Sequence, residues 1–425
     1  MADVEARRYR SFHGVGIVVG FLGVYLFAVS QAWSTTLVDV GLFLVVVGSL
    51  FLLPRIWSDI KREPVFWLAV GITGYILLHS LVYLQFAPAL DDSINPNWNH
   101  WLRVGGLWSV LLGWWLWCFP GHLKPFLVTL VVGLFFGAGV DGDVGALLDG
   151  DIWDRSVWGY SPNYLGMFSS MLMLGLLSWV LYERKGRLRG WEWILGAGVF
   201  LGLVMMLYTS GSRTAWLAFP AGFGILLLYG LLSRAVGGMN KATIFLSGLA
   251  LVILAAVVFS NMEYFVERFS REWEALQAFL YLDWSTSAEI GGSFGSRVAM
   301  WLVGLEAILD RPVFGWGGGS GSMILNPAGL DYGHFHNIYL EILTSFGVVG
   351  GALFLAFHVL LYAGVVRSYF GAVISPALFV GLLSATVVLL IMLMNEIRIG
   401  QSEGRALITS LYALYFYSLF RLKSR

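Results

Sequence analysis

Two arginines and a histidine, far apart in the chain, are the residues best placed to handle a phosphate-bearing substrate. They are Arg213 in TSGSRTAW, Arg297 in GSRVAMW and His336 in HFHNIYLE, and an apolar run follows each one. A helix start presents unpaired N–H groups and the positive end of the helix dipole. A guanidinium added there makes a site for phosphate or pyrophosphate, with two parallel hydrogen bonds available. Ser210 and Ser212 stand where hydroxyls cap the helix that Arg213 opens, and Trp216 follows within its first turn. GSRTAW and GSRVAMW read as near-copies of one local design. The competing reading for each arginine is an anchor that reaches to lipid headgroups. A positive helix end and nearby arginines would favour a neutral imidazole at His336, suited to act as general base on a sugar hydroxyl. Its competing reading is an ordinary hydrogen-bonding interface histidine. His334, two residues earlier, is expected to point differently and to help position substrate or a loop.

These residues must be held by membrane helices. The chain of 425 residues is 58% hydrophobic and 12% charged, with 19 Trp, outside the range of soluble globular domains. Apolar runs of spanning length recur at 14–33, 37–53, 65–86, 102–119, 123–140, 162–182, 191–209, 214–232, 242–260, 337–363, 372–394 and 404–421. The expected fold is therefore all-α and multi-pass, with about twelve transmembrane helices. The first run is too long for a cleaved leader, and another span follows at once. With the amino terminus inside, every lysine falls on the inner face, and the basic residues left outside are all arginine. The acidic stretch DGDVGALLDGDIWD (141–154) falls outside. Arg155 has Asp154 beside it, Arg268 and Arg271 have Glu267, Glu272 and Glu274, and Arg398 has Glu396; Arg213 and Arg297 have no acidic neighbour in sequence. Cys118 is the single cysteine, so no disulfide forms within the chain. Trp98 and Trp101 read as part of an interface belt.

The expected organisation is nine transmembrane helices over 1–260, an outer loop with short helices over 261–336, and three further spans over 337–425. Within the loop, Phe265, Phe269, Trp273, Leu276 and Leu280 recur at helical spacing, which predicts an amphipathic helix in the interface plane. The polar stretch 283–293 is expected to be a mobile lid. Ser293 or Ser296 is expected to cap a helix that runs to Leu309 and stops before Pro312. Gly317 and Gly318 in GWGGGSG would let backbone pass close to a bulky ligand or a neighbouring helix. Asn163 in SPNYLG sits at a break before the sixth span.

Several chemistries lack their motifs. GWGGGSG has no strand–turn–helix setting, so it is not a dinucleotide fingerprint. His334, His336 and Glu341 match no zinc-ligand spacing, and no metal, nucleotide or other cofactor is expected. No nucleic-acid partner is expected either. Acidic residues deep in the spans, which would suggest an ion relay, do not stand out.

At HFHNIYLEILTSFGVVGG the chain resembles the O-antigen ligase family. That family's signature is a histidine, a small amide or hydroxyl residue, nine free positions, glycine, two more, and glycine. His336, Asn337, Gly347 and Gly350 fit it. TSGSRTAWLAF, SRVAMWLVGLEAILDRPVFGWGGG and SPN are similar as well, so specific motifs cover about 162–351. The resemblance implies a GT-C-like glycosyltransferase in the inner membrane of a Gram-negative bacterium, its large loop and active site facing the periplasm. It implies an undecaprenyl-pyrophosphate-linked glycan donor and a lipid A–core acceptor, among membrane lipids. Carried over, His336 would activate the acceptor hydroxyl, and Arg213 and Arg297 would bind the departing pyrophosphate. Asn337, His334, Ser212, Ser210, Trp216, Asn163, Gly317 and Gly318 are then the substrate-binding candidates. A polymerase on the same carrier, a protein O-oligosaccharyltransferase and a lipid-linked glycan transporter are the alternatives.

Overall fold

Helix is the only regular structure among the described residues, which in this computed structural model are 14–86, 106–143, 145–146, 157–184, 188–235, 259, 262–395 and 402–424. The first set comprises α1 (Gly14–Ser30), α2 (Thr35–Leu50), α3 (Leu53–Ile60), α4 (Pro64–Phe86), α5 (Leu107–Cys118), α6 (Leu123–Asp141), α7 (Pro162–Ser178), α8 (Gly190–Thr209) and α9 (Arg213–Ala235). Four helices then form a cap: α10 (Met262–Leu280), α11 (Trp284–Ile290), α12 (Gly292–Asp310) and the short α13 (Gly321–Leu325). Then come α14 (Ile338–Phe370), α15 (Pro376–Leu393) and α16 (Ser402–Lys423).

Seven of the described helical stretches are long and apolar enough to cross a membrane, or eight if α2 and α3, bent by 97°, form one broken span. Helices α1 and α5 are apolar but shorter, at 17 and 12 residues. The sequence reading of about twelve spans therefore meets seven or eight full-length candidates among the described residues. The run 242–260 apart from residue 259, Trp98 and Trp101, the pairs Asp154–Arg155 and Glu396–Arg398, and the side chains of Arg268 and Arg271 lie outside them.

Serine caps and proline starts fix where the helices begin. Ser34 and Ser375 accept from Leu37 N and Leu378 N at 3.3 Å, and Pro162 follows the cap Ser161. Among the candidate membrane spans the most enclosed are α7 and α15, which pack on each other and on α9, and Ser178 Oγ donates to Ala377 O at 2.6 Å. Helix α16 packs on α5 and α14, and α1 on α2 and α6. This bundle holds the starts of α9 and α14 and the end of α15, from which the site is built.

The cap is helical over most of its described length. The polar stretch 283–293, expected as a mobile lid, takes the form of α11 and a two-glycine turn into α12. Asp283 Oδ1 accepts from Thr286 N at 3.2 Å, which caps α11, and the Thr286 hydroxyl together with that N–H holds the Asp283 carboxyl below its usual range. The buried Ser287 Oγ donates to Ala275 O on α10 at 2.7 Å. Gly291 and Gly292, at φ +73° and +70°, turn the chain into α12.

Candidate active site

The site begins at a corner where α7, α8 and α9 meet. Gly211, at φ +59°, turns the chain between α8 and α9. Ser212 Oγ accepts from Ala215 N at 3.3 Å, so it caps α9 as its position in the sequence predicts. It also donates to Asn163 Oδ1 on α7 at 2.5 Å. Ser210 Oγ donates to Leu207 O at 2.7 Å and accepts from Ser212 N at 3.2 Å, and Trp216 Nε1 donates to Leu207 O at 3.0 Å. Asn163, Ser210, Ser212 and Trp216 are thus brought together as a brace for the helix start that carries Arg213.

Arg213 is the first residue of α9, and its Nη1 meets Glu272 Oε1 of α10 at 3.1 Å. Sequence proximity assigned Glu272 to Arg268 and Arg271; in space it serves Arg213, 59 residues away (272 − 213). The same carboxylate accepts from Ser293 N at 3.2 Å and Phe294 N at 2.6 Å. These are orphan N–H groups in the first turn of α12. The expected capping by Ser293 or Ser296 is therefore corrected: Glu272 caps α12 from another helix, and Ser296 Oγ bonds Gly292 O at 2.7 Å. Burial pushes the Glu272 carboxyl up, but the Phe294 N–H and the Arg213 charge outweigh it and leave it below its usual range.

Arg297 does not repeat Arg213. Helix α12 begins at Gly292, which puts Arg297 in its second turn rather than at its start. Gly295 is buried, and a Cβ there would stand 2.6 Å from Ser287 O, so glycine permits close packing of α12 on α11. Arg297 Nη1 donates to Asn395 Oδ1 at 3.3 Å. Asn395 lies just past α15, so this cation sits at the negative end of another helix.

One turn further along α12, Trp301 Nε1 donates to Phe335 O at 3.2 Å. The Phe335 ring is fully buried against a small core with Met300 and Leu325. Its N–H donates to Glu341 Oε2 at 3.3 Å, and Glu341 is itself buried. With Phe335 pinned on both sides, His334 and His336 come together. Their ring centroids are 4.1 Å apart, and His336 N donates to His334 Nδ1 at 3.3 Å. The expectation that His334 points elsewhere is corrected: His336 at φ +50° brings the two rings together. Asn337 is the N-cap of α14, its Oδ1 accepting from Tyr339 N at 3.0 Å and Leu340 N at 3.3 Å.

The glycine-rich turn faces a break in α14. Gly347, at φ +61°, interrupts that helix, so the bonds from Val348 N to Thr344 O and from Val349 N to Ser345 O cannot form. The turn replaces both. Trp316 N and Gly317 N donate to Thr344 O and Ser345 O at 2.7 and 2.9 Å, and Val348 N and Val349 N donate to Pro312 O and Val313 O at 2.8 and 3.3 Å. A Cβ at Gly315 would lie 2.5 Å from Thr344 O, and one at Gly347 would lie 2.2 Å from Val313 O. Of the two readings of these glycines, close approach to a neighbouring helix is the one seen. Gly317 and Gly318 are buried in this contact.

Sequence reasoning missed Glu272, Asn395 and Glu341 as partners of the candidate residues. One of several acids on α10 and an acid five residues past His336 were the available signals. No trio of His, Cys, Asp or Glu side chains placed to hold a metal ion occurs among the described residues.

Apolar helices with a polar cap of this kind define a multi-pass membrane protein. A family model described as O-Antigen ligase matches residues 197–355, which take in Arg213, Arg297, His336, Asn337, Gly347 and Gly350. Over that stretch the chain is similar to the O-antigen ligase family. No curated protein matches the chain significantly.

Proposed function

We propose that this protein is an inner-membrane, GT-C-like glycosyltransferase that joins a glycan carried on undecaprenyl pyrophosphate to lipid A–core at the periplasmic face. Twelve spans, the 261–336 segment as a periplasmic cap and both termini inside complete the topology. His336, steered by His334, takes the proton of the acceptor hydroxyl. The oxygen attacks the anomeric carbon with inversion, and the bond to pyrophosphate breaks. Arg213 and Arg297 receive the charge that develops on the departing diphosphate, and preorganised cations at that point lower the barrier.

One observation carries this reading: α12 is a common beam for all three groups. Glu272 ties Arg213 to its first turn, Arg297 projects from its second, and Trp301 holds the carbonyl next to His336. Phe294 to Arg297 and Arg297 to Trp301 are about 4.5 and 6 Å along the axis, at about 1.5 Å per residue. Groups held this way can address one diphosphate headgroup and one sugar hydroxyl.

The test is reconstitution in vesicles with a lipid-linked glycan and either lipid A–core or a second lipid-linked unit as acceptor. Product on lipid A–core supports the ligase reading; product only on the second unit makes the protein a polymerase. His336→Ala is expected to lower turnover by about 10²–10⁴-fold with the melting temperature retained. Substantial turnover in that variant removes His336 as the base.

A further inference from the structure

We propose that Glu272 is a positioning residue that fixes Arg213 relative to Arg297, so that cap and membrane bundle present one rigid diphosphate clamp. This rests on the function proposed above.

The cap and the bundle each carry one of the two arginines proposed for the clamp. Arg213 opens α9, and Arg297 belongs to cap helix α12. Glu272 is a carboxylate engaged on both sides of that division. Its Oε1 takes Arg213 Nη1 at 3.1 Å and Ser293 N at 3.2 Å, while Oε2 takes Phe294 N at 2.6 Å. Its side chain is 15% exposed and that of Arg213 23%, so the pair is partly shielded from solvent. A guanidinium is a planar fork of five donors, and a carboxylate on one edge sets the plane of the rest. A cation at the start of its own helix is also electrostatically disfavoured there, and Glu272 offsets that cost.

An acid beside a diphosphate site weakens ground-state binding of an anion. Its presence there fits an interaction that serves the transition state through Arg213. Loss of the Glu272 charge is therefore expected to lower kcat without raising the donor KM.

A double-mutant cycle in vesicles with an undecaprenyl-pyrophosphate-linked glycan donor tests this, using Arg213→Ala, E272Q and the double variant. Glutamine keeps the size and one acceptor oxygen. E272Q is expected to lower kcat by about 10–100-fold, the scale of a small misplacement, with donor KM unchanged or lower. On the Arg213→Ala background it is expected to add less than about twofold, because two residues acting through one contact are not additive. Equal losses on both backgrounds, or a raised donor KM with kcat intact, overturn the proposal. Should E272Q not fold, the cycle is run with E272D, whose shorter arm cannot serve both arginine and amides; the same non-additivity is expected and its absence is fatal. Arg213→Ala with full activity would sink the function proposed for Arg213 itself. Inactive Arg213→Ala beside fully active E272Q would sink only the role of Glu272.

Discussion

GSRTAW and GSRVAMW share their letters and little else. In the first, glycine turns the chain, serine caps the helix and arginine is its first residue. In the second all three lie inside α12, where glycine lets another helix approach, serine bonds back along its own helix and arginine reaches the end of α15. Arg213 therefore stands at the positive end of its helix beside a carboxylate, whereas Arg297 stands at the negative end of another helix with a neutral amide. A local motif fixes which side chains are available; the neighbours decide what each one is for.

The comparison breaks most visibly in turnover. Either Arg→Ala change is expected to cost about 10²–10³-fold in kcat, the scale of losing one preorganised charge donor. Arg213→Ala should also lower the melting temperature, because it strips the Glu272 carboxylate of its cation; an unchanged melt would contradict that pairing. Arg213→Lys should recover little of the loss, since an ammonium cannot reproduce the fork. Steady-state kinetics and thermal melts on the same preparations read all of these.

Acid provides the next effect. The Glu272 carboxyl is held below its ordinary value near 4.5, so its contribution is complete above that value and is lost as pH falls through the lower native one. Thermal stability of the parent should fall more steeply with acidification there than that of E272Q, and parallel curves would contradict the capping role. The smallest effect separates the serines. Ser212→Ala should cost about 1 kcal/mol as a lost cap, and Ser296→Ala about zero, by denaturant or thermal unfolding. Equal costs would make the two segments the same device after all.

Much of this was legible in the chain. Apolar runs announced the helices, Ser212 announced its cap, and the spacing from His336 to Gly350 announced the similarity to the O-antigen ligase family. What stayed hidden is what joins distant segments. Charge proximity paired Glu272 with its neighbours on α10, whereas packing carried it to Arg213. Asn395 is a polar residue past an apolar run, with nothing local to tie it to Arg297. His334 was expected to diverge, and the left-handed backbone at His336 that brings the two rings together is not written in residue type. The break at Gly347 was masked because hydropathy does not fall there, and glycine is common enough in membrane helices to draw no notice.

That break bears on how the protein enters a bilayer. The leg from Ile338 to Phe346 rises about 13 Å at about 1.5 Å per residue, less than half of a hydrocarbon core about 30 Å thick. Delivered alone, it would carry the uncovered carbonyls of Thr344 and Ser345 into lipid, at several kcal/mol for each. The segment at 312–317 that covers them is synthesised first and has to wait at the surface until its partner arrives. Biogenesis of this region is therefore expected to be concerted, with the hairpin of turn and half-helix entering as one unit after the flanking spans are seated.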